Sequence, residues 1–291
     1  MSFLLAWLSR RSLRLLHALG ALLGWAAYLL SPSYRRRLKG NAVLAGLGAA
    51  ERHASVGEAG KLVMELPRLW LRPAAEPVND PVRWEGAELI EAVLDAGKGL
   101  VLLTPHMGSF EICAQAYAQR FGARQPITVL YRPARQAWLR ELEETARARP
   151  ALATAPANLA GVRQMMRALR KGETLGLLPD QVPPAGMGVW APFFGQPAYT
   201  MTLAARLALQ NDAEACLIWG ERLPRGAGYV VHVQALAEAL PAKGNQDEET
   251  WMTAAAGVIN RSMEQLIAQR PSQYLWGYHR YKQPRRLGAT P

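Results

Sequence analysis

Leu100-Val101-Leu102-Leu103-Thr104-Pro105-His106-Met107-Gly108-Ser109-Phe110-Glu111 is the stretch on which the fold turns. Leu100 to Thr104 reads as a short strand, apolar without alternation, the kind buried on both faces of a sheet. Pro105 to Ser109 is a loop, and Phe110 to Arg120 reads as a helix. Upstream, Glu85 to Asp95 is helix-like and ends at Gly97-Lys98-Gly99. Downstream come a strand at Ile127 to Tyr131, a long helix at Ala134 to Arg147, and a helix at Leu159 to Arg170 stopped by Gly172. A third strand, Leu175 to Leu178, ends at Pro179-Asp180-Gln181. Met201 to Leu209 is helical, Ala215 to Trp219 and Tyr229 to Val233 are strands, and Glu248 to Ala268 is a long helix. Strands alternating with helices predict an α/β fold: a mixed, largely parallel sheet covered by helices. In such sheets, sites gather where strands end, and both His106 and Asp180 follow strands.

Ahead of this region, Tyr34 to Leu47 and Val56 to Leu71 read as helices, with Leu62, Leu66 and Leu69 recurring at helical spacing. Pro67 predicts a kink or break in the second, and Pro73, Pro77 and Pro81 an irregular connector. The division expected is an N-terminal membrane-associated helix, residues 1–32, and an α/β domain, residues 33–291.

Charge separates function classes better than size does. The net charge is +11 and half the residues are hydrophobic, enough for a sizeable core. The first fifty residues carry Arg10, Arg11, Arg14, Arg35, Arg36, Arg37 and Lys39 and no acid; after Glu264 come Arg270, Arg280, Lys282, Arg285 and Arg286, again with no acid. The remaining 22 basic residues nearly balance 23 acidic ones, so the surplus sits at the two ends. Basic ends suit nucleic acid, or an anionic membrane and a phosphorylated lipid. Beside the N-terminal cluster runs Leu15 to Leu30, LLHALGALLGWAAYLL, sixteen residues with His17 as its strongly polar member. That is short of the roughly 20 residues that span a bilayer. Three readings stand: a helix lying in or dipping into the inner leaflet, a true span, or a cleaved signal or core helix. The run ends Tyr28-Leu29-Leu30-Ser31-Pro32 without a small-x-small cleavage site, which favours the first. An apolar N-terminus and a near-neutral middle argue against a nucleic-acid partner. Cys113 and Cys216 are far apart in apolar contexts and are expected to be small buried hydrophobes in a reducing compartment.

His106 and Glu111 are candidates for a catalytic pair. A histidine in the loop before a helix and a carboxylate one turn inside it can face each other. The carboxylate then fixes the ring tautomer and makes the other nitrogen a base toward a hydroxyl. By spacing alone, a satisfied structural histidine is the competing reading. The spacing is not that of an H-E-x-x-H zinc site, and His17, His53, His232 and His279 offer no ligand spacing, so no metal is expected. Arg147 suits phosphate or a developing oxyanion, with a solvated helix face beside Glu141, Glu143 and Glu144 as the alternative. Asp180 is suited to holding Arg147 or Arg149, or to a turn or helix cap. Arg132 is read as a phosphate contact or a surface residue, and Arg280 and Lys282 as solvated charges or lipid-headgroup contacts.

Thr104 to Glu111 resembles the H-x4-D/E motif of the glycerolipid acyltransferases, and more specifically the late acyltransferases of lipid A biosynthesis, which carry Glu in the second place. Further segments resemble that family in order. They are Val129-Leu130-Tyr131-Arg132-Pro133, Arg147-Ala148-Arg149, Leu169-Arg170-Lys171-Gly172-Glu173 with Leu178-Pro179-Asp180-Gln181, Val189-Trp190-Ala191-Pro192-Phe193-Phe194-Gly195, and Gln273-Tyr274-Leu275-Trp276 with His279-Arg280-Tyr281-Lys282. Two departures stand out: Val182 replaces the second carboxylate of the family's D-x-D, and Tyr278 alters the spacing before His279.

The resemblance implies a glycerolipid-acyltransferase-like fold, with His106 as general base, Glu111 as its orienting partner, and Arg147 and Asp180 at positions needed for activity. It implies transfer of a fatty acyl chain from acyl carrier protein to a hydroxyacyl hydroxyl of a Kdo-bearing, phosphorylated lipid A precursor. The setting is the cytoplasmic face of the inner membrane, and no cofactor is required. The rival readings are an acyltransferase for another membrane lipid (a glycolipid, ornithine lipid or lysophospholipid) and a non-catalytic lipid-binding protein of the same fold.

Overall fold

A computed structural model describes residues 2–285 apart from 75, 79, 133–135, 137–139 and 141–148. The helix expected over Ala134 to Arg147 lies almost wholly outside the described residues.

Seven strands form one sheet: β1 (Val82–Glu85), β2 (Leu100–Leu103), β3 (Ile127–Tyr131), β4 (Leu152–Pro156), β5 (Thr174–Leu177), β8 (Glu214–Arg222) and β9 (Tyr229–Ala235). Between β5 and β8 in the chain, β6 (Gly188–Phe193) and β7 (Gln196–Met201) pair with each other as an antiparallel hairpin. The sheet order is β1-β9-β8-β2-β5-β3-β4. β8, β2, β5, β3 and β4 are parallel, β9 runs antiparallel to β8, and β1 is parallel to β9. The mixed, largely parallel sheet expected from the sequence is present. β1 and β4 were not expected, nor was the hairpin. The hairpin turns at Phe194-Gly195, with φ of 47° and 72°, the positive pair that suits a tight two-residue turn.

Successive strand residues point to opposite faces, so the unbroken run in β2 serves two cores. Leu100 and Leu102 pack with Ile90, Ile112 and Tyr117 from α5 (Ala87–Asp95) and α6 (Phe110–Phe121). Val101 and Leu103 pack with Met165, Leu207 and Ile259 from α7 (Leu159–Arg170), α8 (Leu203–Gln210) and α9 (Glu248–Gln269). All four β2 side chains are buried, each stabilising the fold by about 1.5–3 kcal/mol. Cys113 and Cys216 are free and buried, and burial pushes the Cys216 thiol up to about 11.

At the N-terminus lie α1 (Ser2–Ser9), α2 (Leu13–Leu30), α3 (Pro32–Leu44) and α4 (Ala49–Trp70). Ser31 ends α2 and its hydroxyl accepts from the Tyr34 N–H to cap α3, with Pro32 at the first turn, so α3 begins before the expected Tyr34. Of the kink or break expected at Pro67, the break is absent: α4 continues through Pro67 to Trp70. α2 packs along α4 through glycines on both helices. A Cβ on Gly60 would sit 1.9 Å from the Gly20 carbonyl oxygen, and one on Gly24 would sit 2.2 Å from that of Val56. Only glycine lets these backbones touch.

Candidate active site

β2 and β5 are parallel neighbours, with Leu103 opposite Leu177. The Thr104 N–H donates to the Leu177 carbonyl at 3.1 Å, so the two chains leave the sheet side by side. His106 and Asp180, 74 residues apart, therefore meet. His106 Nδ1 lies 2.7 Å from Asp180 Oδ1, and the His106 main-chain N–H donates to Oδ2 at 3.0 Å. The Asp180 side chain is 2 % exposed and that of His106 20 %. Burial pushes the Asp180 carboxyl up. The charge and hydrogen bonds of His106, with the Arg280 guanidinium, outweigh that and hold it below the ordinary carboxylate value. Gln181 Nε2 lies 3.0 Å from His106 Nε2, and the Phe110 ring packs edge-on against the imidazole at 5.1 Å.

The carboxylate seen on the ring is that of Asp180. Both ring nitrogens of His106 have partners in Asp180 and Gln181, and Glu111 Oε2 accepts from the Trp70 indole N–H at 3.2 Å. α6 begins at Phe110, whose ring meets the imidazole edge-on. Strand adjacency, which the sequence does not display, brings Asp180 to the ring.

The loop holding His106 is fastened on every side. The His106 carbonyl accepts from the Leu275 N–H at 3.0 Å, the Gly108 N–H donates to the Gln273 carbonyl at 3.0 Å, and the Ser109 N–H donates to the Gly220 carbonyl at 2.7 Å. Gly108 has φ +56°, and a Cβ there would meet the Gly220 oxygen at 2.0 Å, so glycine is required. Arg222 Nη1 donates to the Gly108 carbonyl at 2.5 Å. Arg222 is buried and also reaches Glu58 at 3.1 Å and Glu65 at 3.4 Å. Glu65, fully buried in α4, additionally accepts from His17 Nε2 and the Tyr229 hydroxyl, both at 3.3 Å. A chain of polar contacts thus runs from α2 through α4 to the histidine loop.

The C-terminal motif lies behind Asp180. Tyr274 is buried near that carboxylate; burial first, then the Asp180 charge, drives its phenol well above its ordinary value. Arg280 is not the solvated charge expected. It is buried, donating from Nη1 to the Tyr199 carbonyl and from Nη2 to Thr200 Oγ1, each at 2.7 Å, with Phe193 under its guanidinium at 5.0 Å. Burial lowers its guanidinium from the ordinary value. The strands of the β6–β7 hairpin supply these partners. The Arg149 guanidinium donates to the carbonyls of Leu69, Arg72 and Pro73 at 2.9, 3.1 and 3.3 Å, capping the end of α4. Arg132 is exposed at the end of β3, and Arg147 lies outside the described residues. Sequence reasoning missed Gln181, Arg222 and Tyr274 as parts of the site. Gln181 and Tyr274 stood inside quoted motifs, whereas Arg222, in a strand expected to stop at Trp219, gave no signal.

Asp180 takes the Nδ1–H, which leaves a lone pair on Nε2. That is the form in which histidine removes a proton from a hydroxyl. An imidazole so held lies at the carboxyl ends of adjacent parallel strands, where α/β proteins gather their sites. The chain matches the bacterial lipid A biosynthesis acyltransferases over residues 3–283 and belongs to that family. It is 25% identical over 239 residues to the lipid A biosynthesis palmitoleoyltransferase of Escherichia coli K12, covering 80% of this chain and 73% of that one. It is 26% identical over 227 residues to the lauroyltransferase of the same organism, covering 77% and 69%. A lipid A biosynthesis acyltransferase of Shigella flexneri is 25% identical over 239 residues, covering 80% and 73%. Acyl transfer in lipid A biosynthesis is thus the activity of this family.

Proposed function

We propose that the protein transfers a fatty acyl chain from acyl carrier protein to a hydroxyacyl hydroxyl of a Kdo-bearing, phosphorylated lipid A precursor, with His106 as general base. The observation that carries this is the His106–Asp180 pair at 2.7 Å, with Nε2 as an acceptor, in a chain of this family. Nε2 takes the hydroxyl proton, the oxygen attacks the thioester carbon, and the departing thiolate recovers the proton. Asp180 holds the ring in its working tautomer. Glu111 is a second carboxylate of the site, acting beside the ring rather than on Nδ1. Arg147 and Arg132 are assigned to phosphate or the developing oxyanion. Arg149 acts indirectly, through the end of α4.

The acceptor is a membrane lipid, and residues 1–32 are assigned to docking at the cytoplasmic face of the inner membrane. α2 is long and apolar enough to cross a bilayer by length and composition. Its glycine contact with α4, which carries the buried Glu65, supports a helix that lies along the membrane surface instead. Phe3, Leu22 and Leu30 are 86%, 69% and 83% exposed, and Arg10, Arg14, Arg36 and Arg37 are exposed beside them. Each basic residue near an anionic surface adds about 1 kcal/mol of attraction.

His106→Ala in the purified full-length protein tests the mechanism, with acylation of the precursor read by mass spectrometry. A fall of about 10²–10⁴ in rate is expected. Full activity in the variant sinks the general-base assignment. Acylation of a lysophospholipid or ornithine lipid in place of the precursor leaves the base standing and removes the proposed acceptor.

A further inference from the structure

Gln181 follows Asp180, and its carboxamide nitrogen lies 3.0 Å from His106 Nε2. Asp180 holds the proton of Nδ1, so Nε2 carries the lone pair and the amide is the donor. That lone pair is the one a substrate hydroxyl needs. We infer that Gln181 guards it: the amide closes the base to water and gives way to a hydroxyl held in place by the rest of a bound acceptor lipid. The inference rests on His106 as the base and makes Gln181 a residue that decides between nucleophiles.

The need for a guard is chemical. An acyl thioester beside an open histidine base reacts with water as well as with an alcohol. In transfer, the alcohol proton passes to Nε2, the alcohol oxygen bonds to the thioester carbon, the carbon–sulfur bond breaks, and the thiolate takes the proton back. With water in the alcohol's place, the same steps give a free fatty acid and the same thiol. A lipid acceptor has phosphates and acyl chains whose binding offsets displacement of the amide; water has no such remote contacts. One neutral hydrogen bond shifts that competition by about fivefold to tenfold. The loop itself offers no substitute at this point. The main-chain N–H groups of His106, Met107, Gly108 and Ser109 are bonded to Asp180, Pro105, Gln273 and Gly220. The charged and titratable groups around the ring are Asp180, with Tyr274 and Arg280 behind it, and Glu111 on α6; a change at Gln181 removes none of them.

The test uses the purified full-length protein in detergent and a dodecanoyl thioester of acyl carrier protein, with and without the Kdo-bearing tetra-acylated precursor. Free thiol reports total turnover and mass spectrometry reports lipid acylation. Gln181→Ala is expected to raise the ratio of hydrolysis to transfer about fivefold to tenfold, and adding His106→Ala to abolish the rise. A ratio equal to that of the wild type overturns the inference. Transfer that survives His106→Ala alone overturns the base assignment instead. Gln181→Glu preserves the size of the side chain should the alanine variant fail to fold. Its carboxylate binds the protonated ring, so the acid limb of the transfer profile moves to higher pH. A limb that stays in place also overturns the inference.

Discussion

Asp180→Asn removes one charge and one acceptor from a site that uses two. In the native protein Oδ1 takes the imidazole proton at 2.7 Å and Oδ2 takes the His106 main-chain N–H at 3.0 Å. An asparagine has a single acceptor oxygen, so its NH₂ must face one of these donors. If it faces the main chain, a buried N–H loses its partner at a cost of about 1–3 kcal/mol. If it faces the ring, the proton moves to Nε2 and the base is lost. Even with the ring correctly held, a charge-assisted hydrogen bond to the forming imidazolium is gone, about 1.5–3 kcal/mol. Together these place the fall in kcat at about 10³-fold, roughly 4 kcal/mol of barrier, with little change in KM.

The assay is the initial rate of acyl transfer at saturating donor and acceptor, paired with urea unfolding of the same samples. The unfolding data carry a pH signature as well. The Asp180 carboxyl titrates below its ordinary value of 3.8, so its ionised form stabilises the fold above that value. That contribution fades as pH falls through the lower folded-state value, and the stability gap between wild type and variant narrows there. A folded variant within about threefold of the wild-type rate would refute the role given to the pair, since general-base assistance of about 10²–10⁴ could not then depend on it.

Two predictions concern the N-terminal helices. Gly60→Ala places a methyl group 1.9 Å from the Gly20 carbonyl oxygen, so α2 must lift from α4; a loss of about 1–3 kcal/mol is expected in thermal unfolding, and an unchanged melting temperature would contradict the close packing. Glu65→Leu leaves Arg222 and His17 without their shared carboxylate, and urea unfolding should register about 3–5 kcal/mol; a variant as stable as the wild type would mean that Glu58 alone satisfies Arg222.

The parts of this molecule that were legible in its sequence are those with local causes. Ile127–Tyr131 and Leu159–Arg170 have the bounds expected of them, because an apolar run and a glycine stop act over a few residues. β1 and β4 were missed because each is short and sits at an edge of the sheet, where an exposed face dilutes the apolar signal. Arg280 was misjudged for a different reason. A charged residue near a C-terminus is ordinarily solvated, and its partners, Tyr199 and Thr200, lie about eighty positions upstream. Asp180 was expected at the site, but not on the ring of His106. Spacing along the chain says nothing of which strands are neighbours, and the sheet order that puts β5 beside β2 is what carries Asp180 to His106.

The two places where this chain departs from its family's pattern touch each other. Val182 stands where the resemblance calls for a second carboxylate, and Tyr278 is the residue that alters the spacing near the C-terminus. The Val182 N–H donates to the Tyr278 hydroxyl at 3.0 Å. The segment that carries Asp180 and Gln181 is therefore fastened just beyond them by a side chain from the C-terminal segment. That segment also supplies Tyr274 against the Asp180 carboxylate. A carboxylate in place of Val182 would add a negative charge two residues from the buried Asp180, whose ionised form already depends on His106 and Arg280. A valine with its main chain held by a phenol fixes the turn without that charge. The departures remove no partner of the imidazole. They leave the one carboxylate that the imidazole uses in place.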